Sequence, residues 1–114
     1  MPEIKRSGEK DFQILSVHGE IDASSSVDLD QAIANCLKDG AKKILIDLSD
    51  LTYISSAGLG VFMSYVEEFR EKNIRMVLFG LTSRVAHTFN LLGLAELLQI
   101  TGTHEEAVKI IHEA

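Results

Sequence analysis

Two adjacent hydroxyls, Ser55 and Ser56, stand where an apolar run hands over to an amphipathic pattern. The apolar run, Ile44 to Leu48, reads as a buried strand. Leu59, Phe62, Val66 and Phe69 then recur at helical spacing. Between them lie Ser55, Ser56, Ala57, Gly58, Leu59 and Gly60. A helix start offers free N–H groups and a positive dipole end, so it suits an anion or a functional hydroxyl. Its commonest use for serine is capping. Small residues after the pair leave the backbone open to close approach.

Enzyme signatures fail at this place. Gly58-Leu59-Gly60 after a strand suggests dinucleotide binding, but Met63 occupies the position of the third glycine. No Gly-Lys-Ser/Thr is present, which excludes a Walker-type phosphate loop. Ser56 is not in a Gly-x-Ser-x-Gly elbow, because Ile54 stands where the first glycine belongs. His18, His87, His104 and His112 lack metal spacing and any recognisable catalytic partner pattern. They read as surface or helix-packing residues. Cys36 reads as a small buried hydrophobe. No catalytic residue, metal site or cofactor is expected.

The elements that must position the serines follow from periodicity and punctuation. Ile4 to Ser7 and Phe12 to Val17 read as strands joined through Gly8-Glu9-Lys10 in a hairpin. Gly19 is expected to end the second strand, which leaves Glu20 and Asp22 on a loop. Ser24, Ser25 and Ser26 are candidate N-caps for a helix carrying Leu29, Ile33 and Leu37, with Asp28 and Asp30 in its first turn and Gly40 after its end. A helix from about Gly58 to Lys72 follows the serines. Ile74 to Phe79 is another buried strand, closed by Gly80. Thr82 or Ser83 caps a helix bearing Val85, Phe89 and Leu92, stopped by Gly93. Leu97 to Ile100 reads as a short edge strand. Thr103 and Glu106 form a capping-box pattern for a last helix with Ala107, Ile110 and Ile111. The alternation predicts an α/β domain: a mixed, mainly parallel sheet of about four or five strands, about four helices against it, and an N-terminal hairpin.

Composition narrows the function. The chain of 114 residues is 46% hydrophobic and 25% charged, ordinary globular values that argue against disorder. It reads as one domain over residues 1–114. No apolar run approaches the roughly 20 residues that span a bilayer. Met1 to Arg6 has no apolar core like that of a signal peptide. A lone cysteine permits no internal disulfide, and a cytoplasmic location is expected. The net charge of -6 opposes nucleic-acid binding, and Lys42-Lys43 is too small a patch to reverse it. Acidic balance favours a basic partner.

The stretch from Ile44 to Tyr65 resembles the anti-sigma factor antagonist family, built on the STAS domain. In that family a strand leads through a short turn ending in Asp-Ser or Ser-Ser to a small residue and Gly-Leu, then a helix. Val17-His18-Gly19-Glu20-Ile21-Asp22, Leu91-Leu92-Gly93-Leu94 and Thr103 to Ala107 extend the resemblance over nearly the whole chain. The resemblance implies a non-enzymatic regulator. Its partner would be an anti-sigma factor with serine kinase activity, reset by a serine phosphatase. It implies phosphorylation at Ser56, with Ser55, where many members have Asp, as a second acceptor. The implied partner-binding residues are Glu20, Asp22, Ser55, Ser56, Ala57, Gly58 and Leu59, with no direct membrane insertion. Asp22 would orient the Ser56 hydroxyl or touch the kinase; its alternative reading is a turn residue or helix-start charge. Other uses of the same domain are a scaffold subunit of a signalling complex, a soluble subunit of a transporter, or a small-molecule or nucleotide-binding module.

Overall fold

The computed structural model describes residues 2–8 and 11–113. The order is β1 (Glu3–Gly8), β2 (Gln13–Ile21), α1 (Ser26–Lys38), β3 (Lys43–Asp47), β4 (Leu51–Ile54), α2 (Ser56–Lys72), β5 (Arg75–Phe79), α3 (Ser83–Leu91), a 3-10 turn (Leu94–Glu96), β6 (Gln99–Thr101) and α4 (His104–Ile111). The sheet runs β1-β2-β3-β5-β6, and β4 pairs with β2 off this path. Only β1 is antiparallel to its neighbour. The mixed, mainly parallel sheet and its N-terminal hairpin match expectation; Glu9 and Lys10 of the expected turn lie outside the described residues.

Helices cover both faces, so the central strands are apolar throughout. Ile44 and Ile46 of β3 enter the core shared with Leu29 and Ile33 of α1, Leu59 and Phe62 of α2, and Val85 and Phe89 of α3. Leu45, one step out of phase, joins Val77, Phe79, Ala107 and Ile111 beneath α4. That alternation is the period of two of a strand. Cys36 lies in the larger core with no solvent exposure, and burial pushes its thiol pKa up. No helix among the described residues is long and apolar enough to cross a membrane.

Several local expectations are corrected. Gly19 does not end β2. It takes φ 91°, the register shifts between Gly19 and Glu20, and the strand continues to Ile21. The bulge lets one strand serve two partners: Gln13 to Ser16 pair with β3, and Gly19 to Ile21 pair with β4. Glu20 is therefore a strand residue, and Asp22 follows it directly. β4 itself was not expected as a strand. Helix α2 begins at Ser56, two residues before the expected start, because the Ser55 side chain caps it. Leu92 is the C-cap of α3 and 54% exposed, not part of its buried face. Asp30 lies beyond the first turn of α1 and accepts a hydrogen bond from the Tyr65 hydroxyl of α2. β6 starts at Gln99, leaving Leu97 exposed.

Candidate functional site

The site forms where β2 and β4 end side by side. Glu20 is level with Tyr53 and Ile21 with Ile54. The Ser55 N–H donates to the Ile21 carbonyl at 2.8 Å, which carries the pairing one step past β4. Ser55 is extended (φ -81°, ψ 168°), and its Oγ accepts from the Gly58 N–H at 3.2 Å. It is the N-cap of α2. Ser56 is the first helical residue and exposed, and among the described residues no partner engages its hydroxyl. The two serines are thus chemically unequal: one hydroxyl is committed to the fold and the other is free.

The other expected site residues divide by depth. Ala57 is exposed beside Ser56, whereas Gly58 is buried and Leu59 is 1% exposed. Leu59 packs in the core and presents no side-chain surface. A Cβ at Gly58 would lie 2.8 Å from Ile21 Cγ2 and Ile54 Cγ1, so this glycine allows the helix start to rest on the two strand ends. Nothing stands within 4 Å of a Cβ at Gly60; close packing explains the first glycine and not the second.

The capping role predicts opposite outcomes for neighbouring substitutions. Ser55→Ala is expected to lower stability by about 1 kcal/mol, the usual cost of losing a serine cap. Ser56→Ala should change stability by less than about 0.5 kcal/mol, as an exposed position with no partner. Urea unfolding of the two variants checks both; equal losses would contradict the division of roles.

Asp22 is a structural carboxylate. Its Oδ1 accepts from the Ser25 N–H (2.9 Å), the Ser24 hydroxyl (2.8 Å) and the Ser25 hydroxyl (2.9 Å). Its own N–H donates to Ser25 Oγ at 2.9 Å. This ring builds the turn into α1, and the N-cap Ser25 makes no side-chain bond to the helix. The alternative reading of Asp22 as a turn residue is therefore what the geometry shows. Led by the Ser25 N–H, these donors lower its pKa from 3.8 to about 2. A depressed carboxyl pKa adds stability that is complete above the unfolded value and is lost as pH falls through the folded one. The stability advantage of wild type over Asp22→Asn should hold above about pH 5 and shrink between pH 4 and pH 2. Urea midpoints across that range test this; a constant difference would contradict it.

Tyr53 and Arg84 were not expected at the site. Tyr53, 37% exposed, lines a shallow groove of about 390 Å³ with Pro2, Glu20, Asp22, Ser24, Ser25 and Asp28. The Arg84 guanidinium of α3 sits 5.9 Å from the Tyr53 ring centroid. The only local signal was the strand-forming Leu51-Thr52-Tyr53-Ile54 immediately before the serines.

Charge is segregated about this end of the sheet. Glu20, Asp22, Asp28, Asp47, Asp50, Glu105 and Glu106 lie at strand C-terminal ends, in the loops after them or in the first turns of the following helices. Lys38, Lys42, Lys43, Arg70, Lys72 and Arg75 lie at the opposite end, interleaved with acids such as Asp39 and Glu68. The end of the sheet at which Ser56 lies is therefore rich in acids. The histidines do not cluster with one another: His104 and His112 stack edgewise on Phe79 and Phe12, and His18 lies 3.3 Å from Asp50.

A family model described as the STAS domain matches residues 3–107. An anti-sigma-B factor antagonist of Listeria monocytogenes is 34% identical over 91 residues, covering 79% of each chain. One from Staphylococcus aureus is 25% identical over 104 residues, covering 90% of this chain and 96% of that one. The crystal structure of an anti-sigma factor antagonist from Mycobacterium paratuberculosis superposes with a TM-score of 0.87 at 22% identity, covering 99% of this chain and 96% of that one. This last likeness concerns the fold.

Proposed function

Because the chain belongs to the STAS domain family, we propose that it acts as an anti-sigma factor antagonist switched by phosphorylation of Ser56. Unmodified, it binds an anti-sigma factor that is also a serine kinase, and the sigma factor is freed. The names of its relatives support the antagonist role. One observation carries the choice of switch residue: Ser56 offers an exposed, unengaged hydroxyl at the start of α2, beside a Ser55 already used as cap.

The chemistry belongs to the partner. Ser56 Oγ attacks the γ-phosphorus of the kinase's ATP, its proton passes to a base of the kinase, and ADP leaves. This chain presents the hydroxyl on a fixed backbone. The product tolerates its new charge well: α2 has no acid in its first turn, and its dipole favours an exposed anion there by roughly 0.3–1 kcal/mol. Phosphorylation thus leaves the fold intact and acts at the surface. A partner seated over Ser56 would have to desolvate a bulky phosphate where it had met a small neutral hydroxyl, and it is released instead. A serine phosphatase resets the cycle. Ser56, Ala57 and Glu20 supply contact surface, while Ser55, Gly58, Leu59 and Asp22 hold that surface in place.

Affinity capture from the native host's lysate, with wild type and Ser56→Asp as paired baits, tests the reading. Retention of a kinase-type anti-sigma factor by the wild type alone supports it. Identical sets of captured proteins would refute the switch at Ser56.

A further inference from the structure

Arg84 is out of keeping with its surroundings. It lies at the acidic end of the molecule, yet among the described residues no carboxylate is within ion-pair distance of it. Its guanidinium rests over the Tyr53 ring instead. Its backbone is well anchored: the Thr82 hydroxyl donates to the Leu51 carbonyl of β4 at 3.2 Å and caps α3 by accepting from the Val85 N–H at 3.4 Å. Tyr53 is three residues before Ser56, a stretch that spans at most ~11 Å even when fully extended. An exposed cation–π contact is weak, about 0.5–1 kcal/mol, so the guanidinium rests on the Tyr53 ring without being locked there.

We infer that Arg84 is the intramolecular receiver of the phosphate on Ser56: on phosphorylation it leaves the Tyr53 face and pairs with the phosphate oxygens. The inference rests on the phosphorylation of Ser56 proposed above. Planar guanidinium donors match phosphate oxygens in a bidentate fork, an interaction stronger than stacking on an exposed ring. The α2 start offers the other half of the cradle: Ser55 takes the N–H groups of Gly58 and Leu59, which leaves those of Ser56 and Ala57, and no acid occupies the first turn. Two consequences follow. The modified form satisfies its own phosphate and needs no partner cation. The Tyr53–Arg84 stack also dissolves, so the surface around Ser56 changes shape as well as charge.

The test uses the full chain carrying phosphoserine placed at position 56 during translation, titrated by phosphorus NMR. Glu20 and Asp22 of the neighbouring strand end raise the phosphate's second pKa and Arg84 lowers it, so the comparison is made within one background. The second ionisation, ordinarily near pH 6, should lie about half a unit or more lower in wild type than in Arg84→Gln, with Arg84→Lys restoring part of the difference. The Arg84 side-chain protons, shifted by the Tyr53 ring current in the unmodified chain, should lose that shift on phosphorylation. The same titration in wild type and Arg84→Gln, or an undiminished ring-current shift, would overturn the proposal. Neither readout involves the anti-sigma factor, so a failure of partner release leaves this result interpretable, and the reverse also holds.

Discussion

Ser56→Asp is expected to weaken anti-sigma factor binding by about 100-fold or more while leaving the melting temperature within about 2 °C of wild type. Desolvating an added charge where the partner meets a small neutral hydroxyl costs roughly 2–5 kcal/mol, and 100-fold in affinity corresponds to about 2.7 kcal/mol. Stability is spared because residue 56 is exposed and an acid at a helix start is favourable. The kinetics locate the effect. The end of the sheet around Ser56 is already strongly acidic, so its partner surface is basic if charge steers the encounter. Another negative charge then does not slow association, and the loss should appear in the dissociation rate. Glu20→Gln should do the reverse, lowering the association rate and flattening its dependence on salt. Ser56→Ala, uncharged and smaller, should bind like wild type. Surface plasmon resonance at two ionic strengths separates these cases. Unchanged affinity for Ser56→Asp, or a loss confined to association, would remove the desolvation argument.

How far the sequence reveals this arrangement depends on the range of the interactions involved. β3 and β5 are legible as apolar runs because both their faces are covered. The α2 stripe is legible because Leu59, Phe62 and Phe69 face a single core. The last helix start is marked by Thr103, whose hydroxyl accepts from the Glu106 N–H at 3.1 Å. What escapes is non-local. Gly19 reads as a strand terminator, since a positive φ ends many strands; only the arrival of β4 turns it into a bulge inside a longer one. That same pairing makes a strand of Leu51–Ile54 and brings Ile21 to Ser55. The division of labour between Ser55 and Ser56 is one residue fine. It depends on where the helix begins, the least legible feature of any element. Arg84 is invisible for a plainer reason: 31 residues separate it from Tyr53 along the chain, and no periodicity links them.

Gly58→Val is expected to be the most destabilising of the site substitutions, by about 3 kcal/mol, because it places branched carbon where a bare Cβ is already too close. That Cβ would sit 2.8 Å from Ile21 Cγ2 and from Ile54 Cγ1. Both isoleucines are buried, at 0% and 2% exposure, and both end the strands on which α2 begins. Their branched atoms are bonded close to the backbone and have little freedom to swing aside. Relief must come from lifting the helix start, and the Ser55 cap and the Ser56 hydroxyl lift with it. Partner binding should therefore fall together with stability, unlike Ser56→Asp, where binding alone falls. Two residues on, the same helix gives the opposite sign. Gly60 is exposed, helical and faces open space, so Gly60→Ala should stabilise by roughly 0.5–1 kcal/mol through backbone entropy alone. At about 4 °C per kcal/mol for a domain of this size, the two variants should melt some 15 °C apart. For Gly58→Val, urea unfolding with an unchanged m-value would place the loss in the native state, whereas the Gly60→Ala gain acts through the entropy of the unfolded chain. If Gly58→Val melts within about 2 °C of wild type, the helix start is not wedged on Ile21 and Ile54, and Ser56 owes its position to something other than this contact.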